Sequence, residues 1–545
     1  MKYFTIRKRF LVPSFDLEVE EEKKIDRFLQ FLEDSEVGRV INKYVLNSTK
    51  FGGRPNVNYY NLFAVILFGF AFGKDTLRDL EEACKYDLRY ISIMEQVRPS
   101  YSTFARFIKN IITPNEKEIF SLLMNQLIKE IKLDNIDAFL DGSKFEANSN
   151  KYKFVWMPLT FHERISTTFF NILKDNNLCT NFDVEKYVSS KTVSLSLTEL
   201  NNQKDKFSEK QFSDLMKTLS AILLKVMEYE EKENICGPNR KSYFKTDKDA
   251  TAMCLKADYY SGLGTNLHAA YNTQIIVSKG FVLAYYVSQS RSDLSDFIPT
   301  LDYYYEIYNR YPTNLCADAG YGSLENYLYL EKHNIGNYVK HSSWEGNLDA
   351  TYPDSYRLNE DKSSITCLNG LIGYPTIIPK RHPKHSNSIF FKIEGCSSCE
   401  FKPYCMRFIH NYENNDQKIF EVNIEFLALK QKAEKNLLSP KGIELRVNRS
   451  IQVEGVFGNE KQNKKYTRIR RRGIENVSSE MMLVFLGSNL KKLFNYFELN
   501  TLPTFWVVPN ELEAQTFKKP SFKKLSKKGK KINERTYKNK QAKLV

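Results

Sequence analysis

The sequence predicts an α/β protein, a mixed sheet with helices on both faces, preceded by a helical N-terminal region. Three observations carry that reading. A short apolar run, Ile136 to Leu140, leads into Asp141 and reads as a buried strand. Residues 268–290 hold two runs rich in β-branched and aromatic residues, HAAYNTQIIVS and GFVLAYYVSQS, parted by Lys279-Gly280. Helix and strand then alternate: a helix to Tyr308, the strand TNLCADAG, a helix from Ser323 to Lys332, and the strand NIGNYVKH. Alternation of this kind argues for a mixed sheet.

Size and composition bound the rest. A chain of 545 residues exceeds one ordinary core, so several domains or large insertions are expected. With 42% hydrophobic and 14% aromatic residues it packs rather than staying disordered. A net charge of +15 suits a polyanionic partner where the cations cluster. The longest apolar run, around Leu62 to Phe72, is too short to span a bilayer and reads as a buried helix. MKYFTIRKRFLVPSF lacks the apolar stretch of a signal peptide. Nine cysteines without an export signal fit a reducing compartment, so the expectation is the cytoplasm and no membrane.

Taken in order, residues 18–45 carry apolar residues near helical spacing, Ile25, Phe28, Leu29, Phe31 and Leu32. Gly52, Gly53 and Pro55 make a loop. Helices are expected over 59–72, 76–86 and 102–112, with Thr76 and Ser102 as caps, a pattern that suits a helix-turn-helix-like bundle. Residues 157–245 are polar and helical, and Phe212, Leu215, Leu219, Ile222 and Val226 draw one apolar seam. They read as a helical insertion after the first strand. Asp247 and Asp249 read as a turn of acids before a strand. Asp293 and Asp296 open the helix that ends at Tyr308. Gly320 and Gly322 let the chain turn after Asp318.

Asp318 repeats the logic of Asp141: a carboxylate at the end of an apolar strand, beside a loosened loop. Neighbouring strands would bring the two together at one sheet edge. Glu454 and Lys461 offer a third carboxylate and a cation two helical turns apart, on one face. Three such acids suit a pair of Mg2+ or Mn2+ ions, roughly 4 Å apart, that drive in-line displacement at phosphorus. The lysine would position a phosphate.

The blocks DGSKFEANSNKYKFVW, ADAGYGS and RSIQVEGVFGNEKQ, in that order, resemble the three signature blocks of bacterial insertion-sequence DDE transposases. The TDKDAT and YNTQIIV blocks and the N-terminal helices are similar too. The resemblance implies an RNase H-like catalytic fold, with Asp141, Asp318 and Glu454 as the metal-binding acids. It implies cleavage and strand transfer on double-stranded DNA, at the terminal inverted repeats and the target, by a homodimer in the bacterial cytoplasm and nucleoid. In the family pattern Tyr-x2-Arg-x3-Glu-x6-Lys, the tyrosine and arginine positions are Val447 and Ser450, with Arg449 one residue off. A metal-dependent nuclease without strand transfer, or a non-catalytic DNA-binding regulator on the same scaffold, remain as alternatives.

Cys367, Cys396, Cys399 and Cys405 lie between the second and third acids, and four such thiols suit a structural Zn2+. Buried thiols or a redox pair are the plainer reading. Arg468, Arg470, Arg471 and Arg472 cluster after Lys461, and a basic tail runs from Lys518 to Lys543. Both suit phosphate contacts without sequence preference, against the plainer reading of solvated charge. The organisation expected is a helical DNA-binding domain over 1–130 and a catalytic domain over 131–500. The latter carries the helical insertion 157–245 and a cysteine-containing insertion 345–440, and a tail follows over 501–545.

Overall fold

The computed structural model describes residues 19–48, 57–133, 137–178, 186–262, 266–342, 344, 356–377, 388–406, 409 and 412–507. The basic tail at 518–543, the loop of Gly52, Gly53 and Pro55, and Cys179 lie outside them. The chain begins with helices α1 (Val19–Asp34), α2 (Val37–Ser48), α3 (Tyr59–Ala71), α4 (Leu77–Tyr86), α5 (Leu88–Ile93), α6 (Tyr101–Phe107) and α7 (Glu116–Glu130). A left-handed Glu36 parts α1 from α2, where periodicity alone predicts one helix. Asn58 caps α3, its side chain accepting from the Tyr60 and Asn61 N–H groups, and Thr76 caps α4. Ser100, not Ser102, stands at the N-cap of α6, which continues as a π-turn over Ile108–Ile112. Every residue of α3 from Tyr60 to Ala71 is buried, as its unbroken apolar run requires.

Strand β1 (Asp137–Glu146) is followed by β2 (Phe154–Trp156), α8 (Pro158–Asp175), α9 (Ser190–Asn202), α10 (Glu209–Cys236), β3 (Ser242–Phe244), β4 (Thr251–Met253) and α11 (Lys256–Tyr260). Strands β2 and β3 pair and form the neck of a helical insertion. The insertion has its own core of Phe169, Leu173, Leu200, Leu219 and Val226. The expected seam runs down α10, with Leu219, Ile222 and Val226 buried, and a Ser208–Gln211 capping box starts that helix.

The main sheet continues with β5 (His268–Ser278), β6 (Phe281–Ser288), α12 (Phe297–Tyr308), β7 (Asn314–Ala317), α13 (Leu324–Lys332) and β8 (Gly336–Val339). Its order is β6-β5-β1-β7-β8, with β4 on the end of β5. Strand β5 is antiparallel to both β1 and β6, whereas β7 and β8 run parallel to β1. Strand β1 does not end at Asp141. Its pairing with β5 runs on to Glu146↔Ala270, because β5 is long enough to keep supplying partners. What stops beside Asp141 is β7, whose last pair with β1 is Leu140↔Ala317.

A five-stranded antiparallel sheet follows, β9 (Tyr356–Leu358), β10 (Ile365–Cys367), β11 (Ile372–Thr376), β12 (Ser388–Glu394) and β13 (Gln417–Asn423), with the short helix α14 (Lys402–Cys405). It has a separate small core that includes Ile365, Phe391, Ile393 and Phe420. The chain returns to the main sheet through α15 (Ile424–Leu438), α16 (Pro440–Arg449) and α17 (Gly455–Gly458), the last flanked by π-turns at Ser450–Glu454 and Asn459–Asn463. Helix α18 (Ile474–Leu499) closes the fold against α3 and β6. At Gly487 an added Cβ would lie 2.5 Å from the Phe70 carbonyl carbon, so the close approach of α18 to α3 requires glycine. The N-terminal helices, the main sheet and α18 share one continuous core.

Candidate active site

The parallel pairing of β1 with β7 places Asp141 and Asp318 side by side. Each follows directly on the last paired residues, Leu140 and Ala317. Each carboxylate accepts the N–H of the next residue, Asp141 from Gly142 at 2.8 Å and Asp318 from Ala319 at 2.6 Å. Burial raises the Asp141 pKa, Arg449 lowers it, and the negative charges of Asp318 and Asp293 raise it again. The carboxyl is therefore short of positive charge even with its arginine partner. Gly322 has an ordinary negative φ. It is glycine because a Cβ would lie 2.5 Å from the Lys340 carbonyl oxygen, not because the chain needs a left-handed turn.

Arg449 meets Asp141 from α16, Nη1 to Oδ2 at 3.1 Å, with the arginine side chain only 12% exposed. The negative charges of Asp141, then Asp318, and last Glu454 act on the guanidinium. Glu454 is exposed and follows within the π-turn, which packs on β1 and β5. That turn corrects the spacing read as a regular helix. In an α-helix residues four apart share a face, whereas i→i+5 closure puts residues five apart there. Arg449 and Glu454, five apart, thus face the same centre.

Lys461 lies in the second π-turn and reaches back to β1. Its Nζ donates to Ser143 Oγ at 2.6 Å and to the Lys144 carbonyl at 2.7 Å, above the Phe145 ring. Burial, then the positive charge of Lys256, pulls its pKa down to about 8. The lysine is thus anchored two and three strand residues beyond Asp141.

Sequence reading missed the polar layer behind Asp141. Asp293 accepts from Asn272 at 2.7 Å and from Gln274 at 3.0 Å, and the Tyr321 hydroxyl donates to Gln274. A Cβ at Gly142 would meet the Gln274 amide at 2.4 Å, so glycine there lets the layer close on β1. Gly142, Ser143, Lys144, Lys256 and Asp293 line a cavity of about 270 Å³. The sequence signal was there: Asn272 and Gln274 are polar residues inside an otherwise apolar strand, where burial demands a partner.

The arginine cluster lies at the far end of β1. Asp141 and Glu146 are five strand residues apart, about 17 Å, and Arg468 bridges to Glu146. Arg468 donates to the carbonyls of Ala147 and Ser149, Arg472 to Asn148, and Arg470 pairs with Asp75 at 3.0 Å. The buried Glu480 of α18 accepts the N–H groups of Arg470 and Arg471 and the Tyr466 hydroxyl. Arg468, Arg470 and Arg472 therefore have protein partners that set this loop. Asp247 and Asp249 likewise serve α18: Asp247 accepts from Tyr271 and Gly473, and Asp249 from Ile474.

Cys367, Cys396, Cys399 and Cys405 line one cavity of about 20 Å³ in the inserted sheet. Burial, then the other three thiols, pushes the Cys396 thiol up to about 11. Lys418 Nζ donates to Cys405 Sγ at 2.9 Å. Among the described residues no set of three or more Cys, His, Asp or Glu side chains is spaced to hold a metal ion. The donor chemistry at Asp141, Asp318 and Glu454 is nonetheless that of a hard divalent cation: carboxylate oxygens, one of them on a half-buried group whose pKa is raised by burial first and by its like-charged neighbours after that. No helix among the described residues is long and apolar enough to cross a membrane.

Two family models match the chain. One, a transposase DDE domain, covers residues 367–494 and so includes Arg449, Glu454, Lys461 and the arginine loop. The other, the DUF772 transposase domain, covers residues 13–110, which hold α1 to α6. No curated protein and no solved structure matches. Both are transposase domains, one before and one after the main-sheet strands in sequence, and over them the chain is similar to the insertion-sequence DDE transposases, which act on DNA with divalent metal.

Proposed function

We propose that the protein binds the terminal inverted repeats of a mobile DNA element, nicks there, and joins the freed 3′-hydroxyl to target DNA as a homodimer in the bacterial cytoplasm. The observation that carries this is Asp141 and Asp318 side by side where β7 ends on β1, with Arg449 paired to Asp141 and acted on by the charges of Asp318 and Glu454. The strand order, three antiparallel and then two parallel, supports an RNase H-like catalytic domain over 131–500 behind the helical domain over 1–130.

Asp141, Asp318 and Glu454 would hold Mg2+ or Mn2+, which supplies the activated oxygen and the charge for in-line displacement. Asp141 and Asp318 are pre-set by backbone N–H groups. Lys461 is anchored on β1, with a third donor left for a phosphate. Arg468, Arg470, Arg471 and Arg472 flank the path of the DNA beyond β1, and their protein contacts hold the loop to it. Cys367, Cys396, Cys399 and Cys405, which line one cavity of the inserted sheet, would take a structural Zn2+ only by drawing closer together than they stand. Metal analysis of purified protein tests that part by itself.

The test of the whole is labelled repeat-end DNA with Mg2+. Wild type leaves 3′-hydroxyl nicks at the element ends and joins them to a target plasmid. Asp141→Asn, Asp318→Asn and Glu454→Gln each lose at least about a hundredfold in nicking while still binding the repeat. Nicks without joined product make the protein a nuclease. Repeat binding with no nicking in wild type makes it a regulator.

A further inference from the structure

Both oxygens of Asp141 have partners: Oδ1 takes the Gly142 N–H at 2.8 Å, and Oδ2 faces the Arg449 guanidinium at 3.1 Å. A guanidinium does not lose its proton in a protein, so Arg449 cannot leave Oδ2 by neutralising. A divalent ion bound through both oxygens of Asp141 needs Oδ2, and an ion on either oxygen is repelled by the guanidinium at that range. Arg449 also interacts with Asp318 and Glu454, the other acids a shared ion would need. Resting on the reading just given, we propose that Arg449 is a latch on the metal centre, holding the cation's place until metal and DNA displace it.

The π-turn makes this possible. At the spacing of a regular helix the side chain facing the acids would come from position 450, a serine here. The widened turn at Ser450–Glu454 swings Arg449 into that place instead. Once displaced, a planar guanidinium beside the acids suits a DNA phosphate, which it binds with two parallel hydrogen bonds. Metal binding without DNA is thereby held back, and metal binding with DNA is favoured. Free protein in a cell containing Mg2+ stays unloaded until a DNA end is in place.

The test is Mn2+ affinity of the DNA-free protein, read by titration calorimetry or by the loss of the free-ion electron spin resonance signal. Arg449→Gln should bind Mn2+ about tenfold more tightly than wild type or better, and should nick repeat-end DNA more slowly. Arg449→Lys, which keeps the charge with less reach, should fall between. The double change Arg449→Ser with Ser450→Arg should bind Mn2+ like Arg449→Gln and leave nicking unrestored, because the moved arginine no longer faces the acids. Unchanged or weaker Mn2+ binding in Arg449→Gln and Arg449→Lys, with binding abolished in Asp141→Asn, overturns the latch and leaves the metal site standing. Mn2+ binding that Asp141→Asn does not alter, or no binding in wild type and Arg449→Gln alike, overturns the site and the latch with it.

Discussion

Asp296 is a buried carboxylate outside the proposed chemistry, and it makes a prediction about stability. It accepts from Ser288 at 2.9 Å and from Asn272 at 3.2 Å, and burial lifts its pKa to about 7. The folded chain then holds that proton up to about pH 7, while the unfolded chain releases it near pH 4. Between those values the folded state binds more protons, so stability falls as pH rises and levels off above about 7. Each pH unit in that window is worth about 1.4 kcal/mol. Asp296→Asn removes this contribution, so its melting temperature should vary less between pH 4.5 and 7.5 than that of wild type. A difference between the two proteins that stays constant with pH would show that Asp296 is already charged. Single residues of this kind differ in how readable they are in a sequence. Asp141 and Asp318 stand out because a charge beside an apolar strand needs a reason. Arg449 does not, because its place depends on a π-turn that a 3.6-residue period cannot reveal.

The elements that hold the site apart from its chemistry are α18 and its two buried contacts. Glu480 is buried and accepts three hydrogen bonds, from the Tyr466 hydroxyl at 2.6 Å and from the Arg470 and Arg471 N–H groups at 3.0 and 2.8 Å. Glu480→Ala leaves those donors without a buried acceptor. It should cost about 3 kcal/mol or more and free the arginine loop, read as a lower denaturation midpoint and protease cleavage near residue 470. Gly487→Ala should cost about 1–3 kcal/mol, because its methyl meets the Phe70 backbone rather than a side chain that can move. A Gly487→Ala chain as stable as wild type would mean that α18 can shift from α3. Neither contact is legible beforehand. A glutamate inside a helix looks like a solvated residue until the loop that it binds is in place. The strands of the main sheet are legible because β5 and β6 are long and rich in β-branched residues. The inserted sheet is not, because β9 and β10 have three residues each and β11 carries Gly373 and Pro375, too short and broken to show a period of two.

At the scale of the whole molecule, charge is unevenly placed. Between Lys518 and Lys543 there are twelve Lys and Arg residues and one acid, a net +11 of the chain's +15. The remainder, +4 over more than five hundred residues, is too small to make the catalytic body a strong polyanion binder by itself. Affinity for DNA in general should therefore reside in the tail, and recognition of the ends elsewhere. Removing one cation from a phosphate lowers the slope of log affinity against log salt by about 0.9 on duplex DNA. If half of the tail's cations touch phosphate, deleting residues from Lys518 onward should lower that slope by about 5. It should weaken repeat-end and random DNA by the same factor at low salt, since phosphate contacts carry no sequence information. With the protein in excess, the truncated chain should nick repeat ends at the wild-type rate, because Asp141, Asp318, Glu454 and Lys461 are untouched. The outcome that sinks this is a truncation that loses repeat binding while keeping random binding, because the tail would then read sequence. An unchanged salt slope would be equally damaging, because the excess charge would then be solvated and the hold on DNA would have to come from the arginine loop and the N-terminal helices.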